Sequence, residues 1–154
     1  MKMIILFASI TIAAGLLLIN IYNSLVDAKC WGSNIPQSID VARQYYKVFN
    51  PGNFYRLFSP VNQVLALIVL ILFWKSPARP YVAVALVLYV AADAFTFAYF
   101  YPRNDIMFKS PITDVDAITK AWKEWSAMNW LRSAIVLTGL VCSFVSLHKI
   151  YTDK

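Results

Sequence analysis

The chain has 154 residues and a formal net charge of +6; 60% of its residues are hydrophobic and only 14% are charged. Soluble domains average about 45–50% apolar and about 25% charged residues, so this composition excludes a disordered chain and an ordinary water-soluble domain. Because the basic residues lie singly in the connections, a nucleic-acid partner is also excluded. We expect one transmembrane domain, residues 1–154, surrounded by membrane lipid.

Four apolar blocks follow one another along the chain. The first, Met3–Ile21, carries no charge and is longer than the about 7–15 apolar residues of a signal peptide, which is the competing interpretation. Tyr81–Tyr101 is interrupted only by Asp93. Val61–Trp74 and Ala134–Leu147 are shorter and reach a spanning length only when they are extended outward. The predicted spans are approximately residues 3–23, 57–74, 80–101 and 128–148.

The two long connections predict structure of their own. Ile35–Phe49 has apolar residues at three- and four-residue spacing, which predicts an amphipathic helix along the outer interface. The turn residues Asn50–Asn53 are expected to end that helix. Thr113–Asp116 resembles a capping box, from which a helix would run unbroken to His148. The predicted fold is an all-α integral membrane four-helix bundle with an outer amphipathic helix in the first connection and an extended fourth helix.

The positions of lysine and arginine predict the orientation. Four spans place both termini on one side, and the short connection Lys75–Pro80 has two cations and no acid. Lys2, Lys149 and Lys154 flank the two ends of the chain. Cytoplasmic connections carry an excess of such cations, so we expect both termini in the cytoplasm and the protein in the inner or plasma membrane.

Polar side chains inside the apolar helices are the candidates for function. Asp93 is the clearest, because an aspartate at the centre of a spanning helix costs about 2.5–3.5 kcal/mol. It shares one predicted helical face with Phe97, Phe100 and Asn104. Other polar groups fall in the same outer half of the spans: Asn20, Asn62, Thr96, Asn129 and Arg132. This pattern predicts a polar pocket that opens towards the outer side.

Each of these residues also has a purely structural interpretation. Asp93 and Arg132 could form an ion pair that holds two helices together, or Arg132 could extend outward to lipid headgroups. The asparagines could form interhelical hydrogen bonds, which contribute about 0.6–2 kcal/mol each. Trp125 could be a packing or interfacial residue. These alternatives stay open at the level of the sequence.

Several chemistries are disfavoured by the residues that the chain lacks. His148 is the only histidine and lies near the predicted cytoplasmic end, so no haem, metal or Ser-His-Asp site is expected in the outer half. With four glycines in the chain, no phosphate-binding glycine loop is present. We therefore expect no cofactor and no metal. A proton-coupled exporter remains an alternative, because one membrane carboxylate suffices for a proton relay.

The second half of the chain resembles a known family. The stretches that carry the resemblance are Phe95-Thr96, Tyr101-Pro102-Arg103-Asn104-Asp105-Ile106-Met107 and Trp125-x-x-x-Asn129-x-x-Arg132. They resemble the anthrone-oxygenase-like family of small four-span membrane proteins, most of which have no known reaction. The resemblance covers roughly residues 85–145, and the first half matches only in the layout of its spans.

What the resemblance implies is cofactor-independent oxygenation, which in the named members converts an anthrone to an anthraquinone. At the matching positions it implies functional or signature roles for Thr96, Asn104, Trp125, Asn129 and Arg132. The histidine proposed as the base in true anthrone oxygenases has no counterpart here, and Asp93 is the candidate replacement.

We therefore predict that the pocket binds or oxidises a small lipophilic compound of aromatic or quinone-like character. Asp93 would take a proton, and Arg132, with Asn129 and Asn104, would stabilise the oxyanion that results. The predicted substrate-binding residues are Asn20, Asn62, Thr96 and Trp125. The alternative is a non-enzymatic accessory or structural subunit, whose polar cluster stabilises the bundle and whose partner is another membrane protein or a second copy.

Overall fold

The computed structural model describes residues 1–152, so Lys154 lies outside the described part. Within that part the chain is helical and has no strand. Its helices are α1 (Lys2–Trp31), α2 (Gln37–Tyr45), α3 (Pro51–Leu72), α4 (Arg79–Lys109) and α5 (Val115–Thr152). All except α2 are long and apolar enough to cross a membrane. The predicted all-helical membrane bundle is confirmed.

The extended fourth span is confirmed as the single helix α5. It has 38 residues and is therefore about 57 Å long at 1.5 Å per residue. Its N-cap differs from the prediction, because Asp114 Oδ1 accepts from the backbone N–H of Ala117 at 3.3 Å. The expected capping box at Thr113 is therefore wrong by one residue. A carboxylate at this position also interacts favourably with the positive end of the helix dipole.

The amphipathic helix of the first connection is confirmed as α2, which buries Ile39 and Ala42. The prediction that Asn50–Asn53 ends this helix is wrong, because the same residues begin α3. The side chain of Asn50 accepts from the N–H of Gly52 at 2.9 Å, and Asn53 Oδ1 accepts from the N–H of Asn50 at 3.0 Å. This reciprocal capping starts the second span at Pro51, well before the predicted residue 57.

Two clusters of buried apolar residues divide the bundle lengthwise. The terminal half, near Lys2 and Thr152, has a core made of Leu6, Ile10, Ala13, Leu17, Ala66, Val69, Val82, Ala85, Tyr89, Ala92, Val136 and Leu140. The connection half, near α2, has a core made of Ala28, Trp31, Ile39, Ala42, Phe100, Met107, Ile118, Ala121 and Trp125. On the outside, large apolar side chains such as Leu18, Val87 and Leu137 are exposed, as expected of a surface that faces lipid.

Two π-helical turns interrupt the long helices, and both lie in the connection half. They span Asn23–Asp27 in α1 and Thr96–Phe100 in α4. The second precedes Pro102, which has no N–H to donate and whose ring crowds the preceding turn. The wider turn shifts the register and breaks the predicted face of α4, so that Phe100 is 1% exposed while Phe97 is 60% exposed.

Candidate functional site

Asn129 joins α5 to α1 in the connection half. Its side chain is completely buried. Its Nδ2 donates to the carbonyl oxygen of Asn20 at 2.9 Å and to Ser24 Oγ at 2.6 Å. The Asn129 Oδ1 accepts from Arg132 Nη2 at 2.5 Å. Asn129 therefore uses both ends of its amide to hold Arg132 at a fixed place against α1.

Arg132 is buried inside the bundle, with 6% of its surface exposed. Its Nη1 donates to Thr96 Oγ1 at 3.3 Å. Three aromatic rings surround the guanidinium, with Phe100 at 4.4 Å, Tyr55 at 5.4 Å and Trp125 at 5.9 Å from ring centroid to Cζ. Cation–π contacts of this kind stabilise a desolvated cation.

Neither structural interpretation of Arg132 matches this geometry. Within residues 1–152 it forms no ion pair with Asp93 or any other carboxylate, and its burial is incompatible with extension to headgroups. A buried positive charge with no carboxylate in direct contact is costly, and its electrostatic field acts strongly on whatever occupies the space beside it.

Asp93 is held by α3 and not by Arg132. Both of its carboxylate oxygens accept from Ser59 Oγ, at 2.7 and 2.8 Å, and Oδ2 also accepts from Gln63 Nε2 at 2.6 Å. Ser59 and Gln63 lie one helical turn apart on α3, so they approach the carboxylate from the same side. The side chain of Asp93 remains half-buried.

Tyr55 is a central residue of the network that the sequence analysis missed. Its hydroxyl donates to Asn20 Oδ1 at 2.8 Å and contacts the Asn23 amide at 3.2 Å. The predicted second span began at residue 57, which left Tyr55 in a loop. Recognition of Asn50 as an N-cap would have extended α3 backwards and placed Tyr55 on the same face as Ser59 and Asn62.

A cavity of about 610 Å³ opens beside this network. It lies where α3 packs on α1 and on the first part of α4 but makes no extensive contact with residues 96–109. Of the predicted site residues, it is lined by Asp93, Thr96, Asn104, Trp125 and Arg132. A narrow crevice shares the lining residues Tyr55, Ser59, Asp93, Thr96 and Arg132 with the cavity and reaches Asn20 and Asn62.

The remaining predicted site residues are placed less closely together. Asn104 lines the cavity but takes no part in the hydrogen bonds of Arg132. Asn62 accepts from Ser9 Oγ at 3.5 Å and borders only the crevice. Trp125 packs in the aromatic core against Trp31 at 5.1 Å and Phe100 at 5.5 Å between ring centroids. The functional roles of these residues stay predictions.

Two buried N–H groups on the lining side chains lack hydrogen-bond partners within the described chain. They are Trp125 Nε1 and Arg132 Nε. Buried donors are nearly always paired in folded proteins, so each unpaired one calls for an explanation.

The phenol of Tyr46 borders the same cavity outside the spanning helices. Burial, followed by the neighbouring Asp27, Tyr45 and Tyr22, raises the pKa of Tyr46 to about 12. Tyr46 is consequently a neutral phenol at physiological pH and adds no negative charge to the cavity.

A family model described as "Anthrone oxygenase" matches residues 47–142, which is more than half of the chain. The chain belongs to the anthrone oxygenase family. The predicted resemblance is confirmed, and the match extends further towards the N-terminus than the expected residues 85–145. It includes Tyr55, Asp93 and Arg132, whereas Asn20 on α1 lies outside it. No curated protein and no solved structure matches the chain.

Proposed function

We propose that this member of the anthrone oxygenase family binds a small lipophilic aromatic ketone in the cavity and oxidises it with molecular oxygen. The observation that carries the proposal is that the carboxylate of Asp93 and the buried guanidinium of Arg132 line the same cavity without pairing with each other. A base and an electrostatic stabiliser are thus available to one bound molecule.

The reaction begins at a methylene flanked by aromatic rings and conjugated with a carbonyl. Asp93 removes one of its protons, and the electron pair moves to the carbonyl oxygen, whose negative charge faces Arg132. The resulting enolate gives one electron to oxygen, and the two radicals join to form a carbon–oxygen bond. The peroxide takes up a proton. Loss of the second methylene proton then breaks the oxygen–oxygen bond, so that one carbonyl and one water are formed.

The hydrogen-bonded neighbours of Arg132 act as positioning residues in this scheme. Asn129 and Thr96 fix the guanidinium by accepting from two of its nitrogens. Trp125 and Asn104 contribute to the cavity wall against which the substrate rests. Asn20 and Asn62 line the crevice beside the cavity. The cavity volume of about 610 Å³ suits a compound of two or three fused rings.

The test is oxygen uptake by the purified protein with anthrone as the probe, corrected for spontaneous oxidation. We expect the wild type to accelerate uptake and Asp93→Asn to lower the rate by about 10²- to 10⁴-fold, the usual contribution of a general base. Asp116→Asn is the matched control, because Asp116 is an exposed aspartate in the first turn of α5 and does not line the cavity.

Three results would contradict the proposal. Equal uptake by the wild type and Asp93→Asn would remove Asp93 from the mechanism. Uptake no faster than the spontaneous reaction would favour the accessory or structural subunit, which binds another membrane protein or a second copy. Proton-driven movement of anthrone into vesicles, without its oxidation, would instead favour the exporter.

We further propose that the connection half faces the outer side of the cell membrane, with Lys2 and Thr152 on the cytoplasmic side. Lys75 in the short connection between α3 and α4, together with Arg79 at the start of α4, supports this orientation. Cys30 is exposed in the connection half, whereas Cys142 is half-buried within α5. A membrane-impermeant maleimide is expected to label Cys30 on intact cells but not to label Cys30→Ser. Labelling only after lysis would reverse the orientation.

A further inference from the structure

Positive charge is concentrated on the wall of the cavity. The lining contains five cationic side chains and two carboxylates, which are Arg43, Lys47, Arg56, Lys109 and Arg132, with Asp93 and Asp105. These residues leave an excess of three positive charges on the wall, which is half of the net charge of +6 for the whole chain. A concave surface of one sign raises the local concentration of ligands of the opposite sign.

Three of these cations are already bound within the chain, and one of them is Arg132, which donates to Thr96 and Asn129. Lys109 forms an ion pair with Asp105 at 2.6 Å, and Arg43 donates to the carbonyl oxygen of Met107 from Nε at 2.9 Å and from Nη2 at 2.6 Å. The side chains of Lys47 and Arg56, in contrast, form no hydrogen bond or ion pair with any residue in 1–152. They are exposed side chains on the same lining and remain available to an external anion.

The lining of the cavity has a second, aromatic component. Tyr46, Phe97, Tyr101 and Phe108 all border the cavity, and Phe97 is 60% exposed. The N-terminal turn of α3 also contributes residues 50–52 to the wall, which adds the positive end of its helix dipole. Aromatic surface beside unpaired positive charge fits a ligand with a flat apolar body and one anionic group.

We propose that the cavity selects aromatic compounds that carry an anionic group, with that group against Lys47 and Arg56 and the ring system against Phe97 and Tyr101. The inference rests on the proposed function in that it takes this cavity to be the substrate site. It narrows the substrate class from lipophilic aromatic ketones to those with a carboxylate, phosphate or ionised phenol. An anionic lipid headgroup offers the same chemistry and is the other source of such a ligand.

The test compares two fluorescent probes that differ in charge, anthracene-9-carboxylate and anthracene-9-methanol, bound to the protein in phosphatidylcholine nanodiscs. We expect the wild type to prefer the carboxylate and the preference to fall with added salt, because the cations are exposed. Lys47→Gln with Arg56→Gln should weaken carboxylate binding about fivefold, the effect of losing two exposed charge pairs, and should not weaken binding of the alcohol. Lys120→Gln with Lys123→Gln is the matched control on the exposed face of α5.

A parallel arm identifies the source of the anion. Phosphatidylglycerol that displaces the carboxylate probe from the wild type would identify a lipid headgroup, whereas retention of the probe would identify a free aromatic acid; both support an anion site. Equal affinity of the wild type for the two probes, or unchanged carboxylate binding in the double variant, would overturn the inference.

The binding assay needs no turnover, so the two proposals fail separately. If the wild type shows no preference for the charged probe but its oxygen uptake depends on Asp93, only the anion site is overturned. If it prefers the charged probe but its oxygen uptake does not depend on Asp93, only the proposed reaction is overturned.

Discussion

The terminal and connection halves are built from the same four long helices, yet they bury their polar groups differently. In the terminal half the buried hydroxyls pair with one other side chain or donate to a backbone carbonyl, and they do not form an extended network. Tyr89 pairs with Ser143 at 3.0 Å, and Ser146 donates to the carbonyl oxygen of Ser143 at 2.7 Å. Small residues such as Ala13 and Gly139 let these helices approach closely, as small residues do in membrane bundles.

In the connection half, polar groups are linked in a network that spans several helices. Asn129 connects α5 to α1, Tyr55 connects α3 to α1, and Asp93 is bound by α3. Two N–H groups stay unpaired there, and a cavity separates α3 from the end of α4. Burial of polar groups alone therefore does not distinguish the candidate site from the rest of the bundle. The connection half differs from the terminal half in its unpaired buried donors, its π-helical turns and the separation of its helices.

Replacement of Arg132 by methionine is expected to separate activity from stability most clearly, because it should lower the rate of oxidation far more than the free energy of unfolding. The rate of anthrone oxidation should fall by about 10²- to 10³-fold, the cost of removing one group that stabilises an oxyanion. The free energy of unfolding should change by only about 1 kcal/mol, because the loss of two hydrogen bonds is offset by removal of a desolvated charge. Oxygen uptake and thermal unfolding of the same sample measure the two effects.

Arg103→Met is the matched control for Arg132→Met. Arg103 pairs with Glu124 at 2.7 Å, stacks on Tyr99 and does not line the cavity. We expect its replacement to leave oxygen uptake close to that of the wild type. A large loss of stability in Arg132→Met, with activity lost only in proportion to unfolded protein, would show that Arg132 is a structural residue.

The same contrast explains how much of the fold could be predicted from the sequence. Length and hydropathy fix the spanning helices, because a helix must present apolar residues to lipid along its whole length. The spacing of Ile39, Ala42, Tyr46 and Phe49 predicted one apolar face in the first connection. Ile39 and Ala42 are buried, but α2 ends at Tyr45 and Phe49 is exposed. The motif at Asn50 was assigned the wrong role, since Asn, Pro and Gly favour helix starts as much as helix ends.

The candidate site was predictable only in part. Asn20, Asn129 and Arg132 follow helical spacing, so their approach could be expected from their depth in the spans. The partners of Asp93 could not, because Ser59 and Gln63 lie on a helix whose rotation the sequence does not specify. The π-helical turn Thr96–Phe100 also changes which side of α4 faces inward, and a periodicity of 3.6 residues gives no warning of it.

In the terminal half, replacement of a glycine by alanine should lower stability and leave activity unchanged, which is the reverse of the result expected for Arg132→Met. The effect should also be smaller. A Cβ on Gly139 would lie 2.7 Å from Cε1 of Tyr89. The ring must therefore move, and its 3.0 Å hydrogen bond with Ser143 would be strained or lost. We expect Gly139→Ala to lower the free energy of unfolding by about 1–3 kcal/mol, the usual cost of overpacking a core. Thermal unfolding measures this loss.

Gly15→Ala separates the ring contact from the general effect of alanine in a helix. Apart from the adjacent residues and the backbone of its own helix, no heavy atom lies within 4 Å of a Cβ built on Gly15. This variant should therefore keep its stability or gain up to about 1 kcal/mol from helix propensity. Tyr89 borders the crevice but does not line the cavity, so oxygen uptake by folded Gly139→Ala should stay close to the wild-type rate. Equal stability of the two variants would show that the terminal half tolerates extra volume, and close packing would then no longer distinguish it from the half that contains the cavity.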